Sequence, residues 1–210
     1  MRGSVYVLEG SWDKPFEAPQ VLPYLHAYEQ SHREVQVFHR TIRTQADVAY
    51  YISRIPKNSR AFVYVACHGQ VGLLDPSDEE NRMPVAAVRK ALNAAKEKSV
   101  AFLHFGCCEF VQPAEGSRRR FLTDIANSLN GSLWVSGYTR EVDWLSSTLL
   151  DLALISEVYV PWRKKPTYVV DARSRAAHFI RSYEQLARSL GFSALSRVGS
   201  AETLFPSRLT

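Results

Sequence analysis

The chain has 210 residues, 46% of them hydrophobic and 11% aromatic, which suits one globular domain with a substantial core. Its net charge of +5 comes from 26 Lys and Arg against 21 Asp and Glu, with short basic runs at 118–120 and 163–165. A nucleic-acid-binding protein usually carries a longer basic stripe with interleaved aromatic residues, so we predict no nucleic-acid partner. We expect a single domain over residues 1–210, with its core over about 4–190 and a loose tail at 191–210.

The cysteines and the apolar stretches indicate the compartment. Three cysteines, two of them adjacent, do not make the framework of a disulfide-rich exported protein. The first ten residues hold one basic residue and an apolar stretch too short for a signal peptide. The most apolar later stretch, residues 145–160, is interrupted by Asp151 and Glu157, which a membrane span tolerates poorly. We therefore expect a cytoplasmic protein with no membrane partner.

Strand-like and helix-like segments alternate along the chain. In the first part, the patterns predict strands at 4–8, 35–41 and 61–67 and helices at 19–31 and 44–55. After a loop at 69–84, they predict helices at 85–98, 117–129, 144–158 and 173–190 and strands at 100–105, 133–137 and 168–170. Helix-length crossovers make neighbouring strands parallel. We predict an α/β fold, a three-layer sandwich with a mostly parallel central sheet flanked by helices.

A histidine and a cysteine pair follow two of the buried-strand patterns. AFVYVAC is followed by His68 and Gly69, and VAFLHF is followed by Gly106, Cys107 and Cys108. The carboxyl ends of parallel strands share one sheet edge, where catalytic groups gather. An imidazole there can accept the proton of a thiol and later protonate a leaving amine. The N–H groups of Gly69 and of the nucleophile are candidates for an oxyanion hole.

Less reactive interpretations of the same residues remain open. Cysteine is among the most buried residue types, so all three cysteines can be inert packing, and the histidine can be a hydrogen-bonded loop residue. No C-x-x-C pair suggests metal ligands, and no phosphate-binding glycine motif follows a strand. We therefore expect no metal and no other cofactor, and a flavodoxin-like or nucleotide-binding domain is a weaker alternative.

The surrounding residues add a resemblance to a family. AFVYVACHGQVG resembles the histidine motif of caspase-like (clan CD) cysteine peptidases, in which an apolar strand runs into His-Gly. VAFLHFGCCEF resembles their nucleophile strand, where four largely apolar residues precede two small or polar ones and then the catalytic cysteine. The motifs are closest to CHAT and metacaspase-type domains. The resemblance implies a bacterial-type cysteine endopeptidase with His68 as general base and Cys108 as nucleophile; Cys107 is the runner-up.

Three acidic residues are candidates for the substrate groove. GSLWVSGYTREVDW partly resembles the turn that borders the groove in CHAT and separase-like domains, so Asp143 is expected to orient this turn or to contact substrate; the alternative is that it caps the next helix. Glu9 and Asp13 follow the first strand and would form an acidic pocket at the same sheet edge. Gly106 and Phe110 depart from the metacaspase pattern, so the arginine specificity of metacaspases is not carried over.

The resemblance also has implications for partners. Peptidases of this kind act on proteins or peptides and are held inactive until a partner, a ligand or a cleavage event orders their loops. No recruitment domain is recognisable, which implies a separate regulatory or activating protein, and the loop at 112–120 is a candidate for cleavage. The alternative is a catalytically silent caspase-like module that binds a protein partner.

Overall fold

A computed structural model describes residues 2–12, 21–77, 79–113, 116–164, 169–197 and 203–205, with 169–173 and 204–205 described by their backbone alone. The strands are β1 (Gly3–Glu9), β2 (Val35–Thr41), β3 (Ala61–Ala66), β4 (His68–Gln70), β5 (Leu73–Asp75), β6 (Met83–Pro84), β7 (Val100–Phe105), β8 (Trp134–Tyr138), β9 (Phe192–Ser196) and β10 (Thr203–Phe205). The α-helices are α1 (Leu22–Ser31), α2 (Gln45–Arg54), α3 (Val85–Leu92), α4 (Arg118–Asn127), α5 (Trp144–Leu154), α6 (Val160–Lys164), α7 (Val169–Ser182) and α8 (Glu184–Ser189).

The central sheet has the strand order β10-β9-β8-β7-β3-β1-β2. Strands β2, β1, β3, β7 and β8 are parallel, whereas β9 pairs antiparallel with β8, and β10 with β9. The middle strands β3 and β7 are buried at every position, which explains their unbroken apolar sequence. The prediction of an α/β fold with a mostly parallel sheet flanked by helices is confirmed, and the arrangement is compatible with a three-layer sandwich.

Each face of the sheet has its own apolar core, because successive residues of a strand point to opposite faces. Phe62 and Tyr64 pack into one core with side chains of α1, α5, α7 and α8. Val63 and Val65 pack into the other core with side chains of α2, α3 and α4. Full burial of one such side chain contributes about 1.5–3 kcal/mol, so helices on both faces hold the sheet rigidly. That rigidity fixes where the strands end.

The start of α2 and the junction between α5 and α6 show how local sequence sets the elements. Thr44 caps the start of α2: its hydroxyl accepts a hydrogen bond from the N–H of Asp47 (3.2 Å), whose carboxylate accepts one from the N–H of Thr44 (2.9 Å). Farther along, α5 runs through a π-helical turn, Ile155–Tyr159, directly into α6. Pro161 lies in α6, where it lacks the N–H that a regular helix needs.

Three predictions about secondary structure are wrong. Residues 192–196, assigned to a loose tail, form the buried strand β9, whose small and serine residues hid the strand pattern. The strand predicted at 168–170 is contradicted by the backbone of α7, which includes Val169 and Val170; Tyr168 lies outside the described residues. The loop predicted at 69–84 contains a second, antiparallel sheet of β4, β5 and β6.

Within the described ranges, no helix is both long and apolar enough to span a bilayer.

Candidate active site

The ends of β3 and β7 bring the His-Gly and Cys-Cys segments together. The two strands are parallel neighbours, with Val65 opposite Phe105 near their carboxyl ends. Beyond them, Gly69 packs so closely on the cysteine pair that an added Cβ would lie 2.5 Å from the carbonyl oxygen of Cys108 and 2.9 Å from the Cβ of Cys107. Only glycine fits this contact, so the residue after His68 touches the backbone of the candidate nucleophile.

Cys108 is the cysteine of the pair that reaches the surface. Its side chain is half-buried, and its sulfur accepts a hydrogen bond from the N–H of Val142 at 3.5 Å. Burial raises the pKa of this thiol; the Val142 N–H opposes the shift, and the charges of Cys107, Glu141 and Glu109 add to it. The thiol is therefore protonated at neutral pH unless a base takes its proton.

The turn after Cys108 is held by the end of β8. Glu109 has a φ of 52°, a left-handed conformation that costs energy for a residue with a side chain. Its N–H donates to the carbonyl of Arg140 (3.0 Å), and the N–H of Val111 donates to the carbonyl of Tyr138 (3.2 Å). Among the described residues, the N–H of Cys108 donates no hydrogen bond. The strained turn thus leaves that N–H available at the sheet edge.

Cys107 lies in the core, with no exposed surface. Its sulfur is 3.6 Å from that of Cys67 and donates a weak hydrogen bond to the carbonyl of Val65 (3.4 Å). Burial raises the pKa of Cys107 well above its ordinary value, and the neighbouring Cys67 thiol adds to the shift. These two cysteines match the packing interpretation, and Cys108 is the better nucleophile candidate.

His68 is exposed at the start of β4, and its ring is held from one side. Its Nε2 donates a hydrogen bond to the carbonyl oxygen of Trp12, and the two rings meet edge to face with centroids 5.4 Å apart. This bond leaves Nδ1 as the nitrogen that can accept a proton. Within the described part of the chain, no hydrogen bond joins this ring to the sulfur of Cys108. Hydrogen bonds between catalytic groups are often long in a protein without bound substrate, so the two side chains stay candidates for a dyad.

Glu9 lies at the predicted sheet edge, but it does not form an open acidic pocket. The residue is 2% exposed. Its Oε1 accepts hydrogen bonds from the indole N–H of Trp12 (2.8 Å) and the N–H of Val21 (3.0 Å). Its Oε2 accepts one from Nε2 of His39 (2.8 Å). Asp13, the other member of the predicted pocket, lies outside the described residues.

Asp143 has the structural role that was the alternative to substrate contact. Its exposed carboxylate accepts a hydrogen bond from the N–H of Ser146 (2.8 Å) and caps the amino end of α5. Hydrogen bonds from Ser146 lower the pKa of this carboxyl group. The neighbouring Val142 contributes the N–H that contacts Cys108, so this turn does border the candidate site.

A buried polar cluster that the sequence did not predict lies behind the site. Asp151, 1% exposed, accepts hydrogen bonds from the hydroxyls of Tyr64 (2.6 Å) and Tyr138 (2.5 Å). Its Oδ1 is also 2.6 Å from Nε2 of His104, although the ring N–H is not aimed at the oxygen. The ring of Tyr64 in turn contacts Gly106, where an added Cβ would lie 2.4 Å from it. The cluster thus supports the backbone that leads to the cysteine pair.

The backbone groups at the site were also missed. The carbonyl of Trp12 and the N–H of Val142 contact the candidate dyad, yet main-chain groups have no side-chain signature in a sequence. No group of His, Cys, Asp and Glu side chains in the described ranges is arranged to hold a metal ion.

Together, the fold and the site define an α/β protein with a half-buried thiol and an exposed imidazole at the carboxyl edge of a mostly parallel sheet. No family model matches the chain, and the search of curated proteins finds no match.

Proposed function

We propose that the chain is a caspase-like cysteine endopeptidase with a three-layer fold, in which Cys108 is the nucleophile and His68 the general base and acid. The observation that carries the proposal is the contact of Gly69 with the backbone of Cys108, where a Cβ would lie 2.5 Å from the carbonyl oxygen. This contact brings a surface imidazole and a surface thiol to one sheet edge. The resemblance of both segments to caspase-like motifs supports the same function.

In the proposed reaction, His68 Nδ1 takes the proton of the Cys108 thiol as the sulfur attacks the substrate. The sulfur bonds to the scissile carbonyl carbon, and the N–H groups of Gly69 and Cys108 bind the resulting oxyanion. The tetrahedral intermediate then collapses, the C–N bond breaks, and His68 gives its proton to the leaving amine. Water activated by His68 hydrolyses the thioester and restores the thiol. General acid–base catalysis of this type contributes about 10²–10⁴-fold to the rate.

The raised pKa of Cys108 determines the timing of the proton transfer. Because burial raises that pKa, the resting thiol is neutral, and the proton moves to His68 as the sulfur attacks. Nucleophilic reactivity of the free enzyme then rises with pH as the thiolate forms. An enzyme with a preformed thiolate–imidazolium pair would instead react with alkylating agents below neutral pH.

The proposal is tested with a broad peptide library and a peptidyl acyloxymethyl ketone, a probe that labels an activated cysteine. We expect cleavage of library peptides and labelling of Cys108, mapped by mass spectrometry, with no label on Cys67 or Cys107. Cys108→Ala and His68→Gln should abolish both signals. His178→Gln removes an exposed histidine on α7 and is the matched control. If the probe labels Cys107 instead, Cys107 and not Cys108 is the nucleophile.

A catalytically silent module that binds a protein partner is the second candidate. It is favoured by the raised pKa of Cys108 together with the lack of a hydrogen bond between its sulfur and the His68 ring among the described residues. For such a module, wild type and Cys108→Ala do not differ in cleavage of the peptide library, in labelling by the ketone or in their effect when expressed in cells. Equal behaviour in all three would end the peptidase proposal.

For the peptidase, the proposed partners are a protein or peptide substrate and a separate activating protein, and the proposed compartment is the cytoplasm. The loop at 112–120 is a candidate for activation by cleavage; Arg118 already begins α4, and 114–115 lie outside the described residues. Mass spectrometry of active enzyme that finds only intact chain would remove cleavage from this proposal. The addition of candidate activators to intact chain then tests activation by binding.

A further inference from the structure

The segment that leaves β1 holds the carbonyl to which His68 is bonded. Its first two residues are fixed by the backbone: the N–H of Gly10 donates to the carbonyl of Ala66 (2.8 Å), and the N–H of Ser11 donates to that of Pro76 (2.7 Å). Gly10 packs so tightly that an added Cβ would lie 2.7 Å from the Cβ of Cys67 and from the Pro76 oxygen. The segment therefore follows one path as far as Ser11.

At Trp12, the segment is held in place by a side-chain hydrogen bond. The indole N–H of Trp12 donates a hydrogen bond to Oε1 of Glu9 (2.8 Å). The main-chain carbonyl of Trp12 accepts a hydrogen bond from Nε2 of His68. The same oxygen of Glu9 accepts a hydrogen bond from the N–H of Val21 (3.0 Å), which follows residues 13–20 in the sequence. The other oxygen is bonded to Nε2 of His39 (2.8 Å), which fixes the carboxylate itself. One buried carboxylate thus anchors the chain on both sides of residues 13–20.

We infer that Glu9 is a positioning residue for His68, acting through Trp12; this inference rests on the proposed function. By fixing the indole, Glu9 fixes the carbonyl of the same residue. That carbonyl keeps the proton on Nε2 and leaves the lone pair on Nδ1, the nitrogen that takes the proton of Cys108. If Trp12 turns away, the imidazole loses its orientation although neither catalytic side chain has changed.

The chemistry of Glu9 suits this task better than substrate binding. A carboxylate that is 2% exposed and bonded to Trp12, Val21 and His39 has no free surface for a substrate cation. A buried charge requires such partners, since an uncompensated one is strongly unfavourable. Removing Glu9 should therefore affect kcat more than KM, whereas loss of a specificity pocket would mainly raise KM.

Four variants of the full chain test the inference. Glu9→Ala removes all the carboxylate contacts, and Trp12→Phe removes only the indole N–H while keeping a ring and the carbonyl. Glu9→Gln keeps the acceptor oxygen for Trp12 and Val21 and should restore function. Glu29→Ala is the matched control, because this carboxylate also binds a backbone N–H, that of Val37 (3.1 Å), but has no hydrogen bond to Trp12 or His68.

The first measurement is the NMR signal of the Nε2 proton of His68 in ¹⁵N-histidine-labelled protein, which needs no peptidase activity. A hydrogen-bonded ring proton exchanges slowly with water and gives a distinct signal. We expect the signal in wild type, Glu9→Gln and Glu29→Ala, and its loss in Glu9→Ala and Trp12→Phe. The second is the kcat and KM of library-derived substrates, where the two disruptive variants should lose about tenfold in kcat with KM within about twofold.

The outcomes separate the inference from the function on which it rests. If Trp12→Phe folds and retains both the ring-proton signal and wild-type kcat, Glu9 is not a positioning residue. If Glu9→Ala unfolds, Trp12→Phe alone decides. If the wild type cleaves nothing, the proposed function fails, and a ring-proton signal that depends on Glu9 then assigns this carboxylate a purely structural role.

Discussion

The buried carboxylate of Asp151 gives the most quantitative prediction. Asp151→Ala removes the acceptor of the Tyr64 and Tyr138 hydroxyls and the charge next to His104. Breaking a buried network by deleting one member costs about 3–5 kcal/mol, because a polar group that loses its partner stays buried. Here the Tyr64 hydroxyl loses its acceptor, whereas the Tyr138 hydroxyl keeps the carbonyl of Ser147 (3.1 Å). For a chain of this size, each kcal/mol lowers Tm by about 2–4 °C, so we expect a decrease of about 6–20 °C.

The measurement is urea-induced unfolding followed by tryptophan fluorescence, with the free energy of unfolding extrapolated to water. Asp151→Asn keeps one acceptor oxygen and the volume, so its loss should be about half that of Asp151→Ala. The control is Asp124→Ala, where a carboxylate that is 40% exposed lies 3.8 Å from Arg89 and should contribute below about 1 kcal/mol. A double-mutant cycle with Tyr138→Phe measures the coupling directly.

If Asp151→Ala lowers the free energy of unfolding by less than about 1 kcal/mol, or by no more than Asp124→Ala, the network does not stabilise the fold. The inference that it supports the backbone of the cysteine pair would then fail too. A large destabilisation with no coupling to Tyr138 would assign the effect to the cavity left by the side chain.

Three further predictions concern the site and its surroundings. Gly69→Ala forces a Cβ to within 2.5 Å of the Cys108 oxygen, so we expect peptide hydrolysis to fall about 100-fold in a chain whose circular dichroism stays native, and unchanged kcat would refute the close contact. Burial, followed by the charge of Asp151, raises the pKa of Tyr64 and Tyr138 well above 10, so their contribution to stability is present below about pH 10 and is lost as pH rises further. Tyr138→Phe should flatten that alkaline decline in urea titrations, and an unchanged slope would contradict the assignment. Asp143→Ala removes only the cap of α5, so it should lower Tm slightly and leave kcat and KM near wild type. A large rise in KM would show instead that Asp143 contacts substrate.

The strands of the sheet centre could be predicted because their sequences leave few options. The apolar runs that form β3 and β7 are too short for helices and suit strands buried on both faces. The start of the helix at 44 was equally local, since Thr44 and Asp47, three residues apart, make both bonds of the cap that the structure shows. By contrast, β9 is a strand because it pairs with β8 and is covered by packing, and its five residues alone carry too weak a pattern.

Some features of the candidate site could likewise be predicted from the sequence, and others could not. The approach of His68 and Cys108 followed from strand order, because residues at the ends of adjacent parallel strands must be near each other. The burial of Glu9 did not follow, since an acid after a strand usually faces solvent and its partners Trp12, Val21 and His39 come from different elements. From the sequence, Asp151 served only as a charge that argues against a membrane span, because nothing local indicates the two tyrosines and the histidine that surround it.

The vicinal cysteines acquire opposite environments from a single geometric fact. One sulfur faces the apolar interior beside Cys67, and the next faces the rim of the sheet beneath Val142. The two cysteines follow the end of β7, in the turn from Gly106 to Phe110, so the length of this turn decides which thiol reaches the surface. One residue inserted before Cys107 would move that thiol into the exposed position, whereas one residue deleted there would bury Cys108 and leave no thiol at the rim.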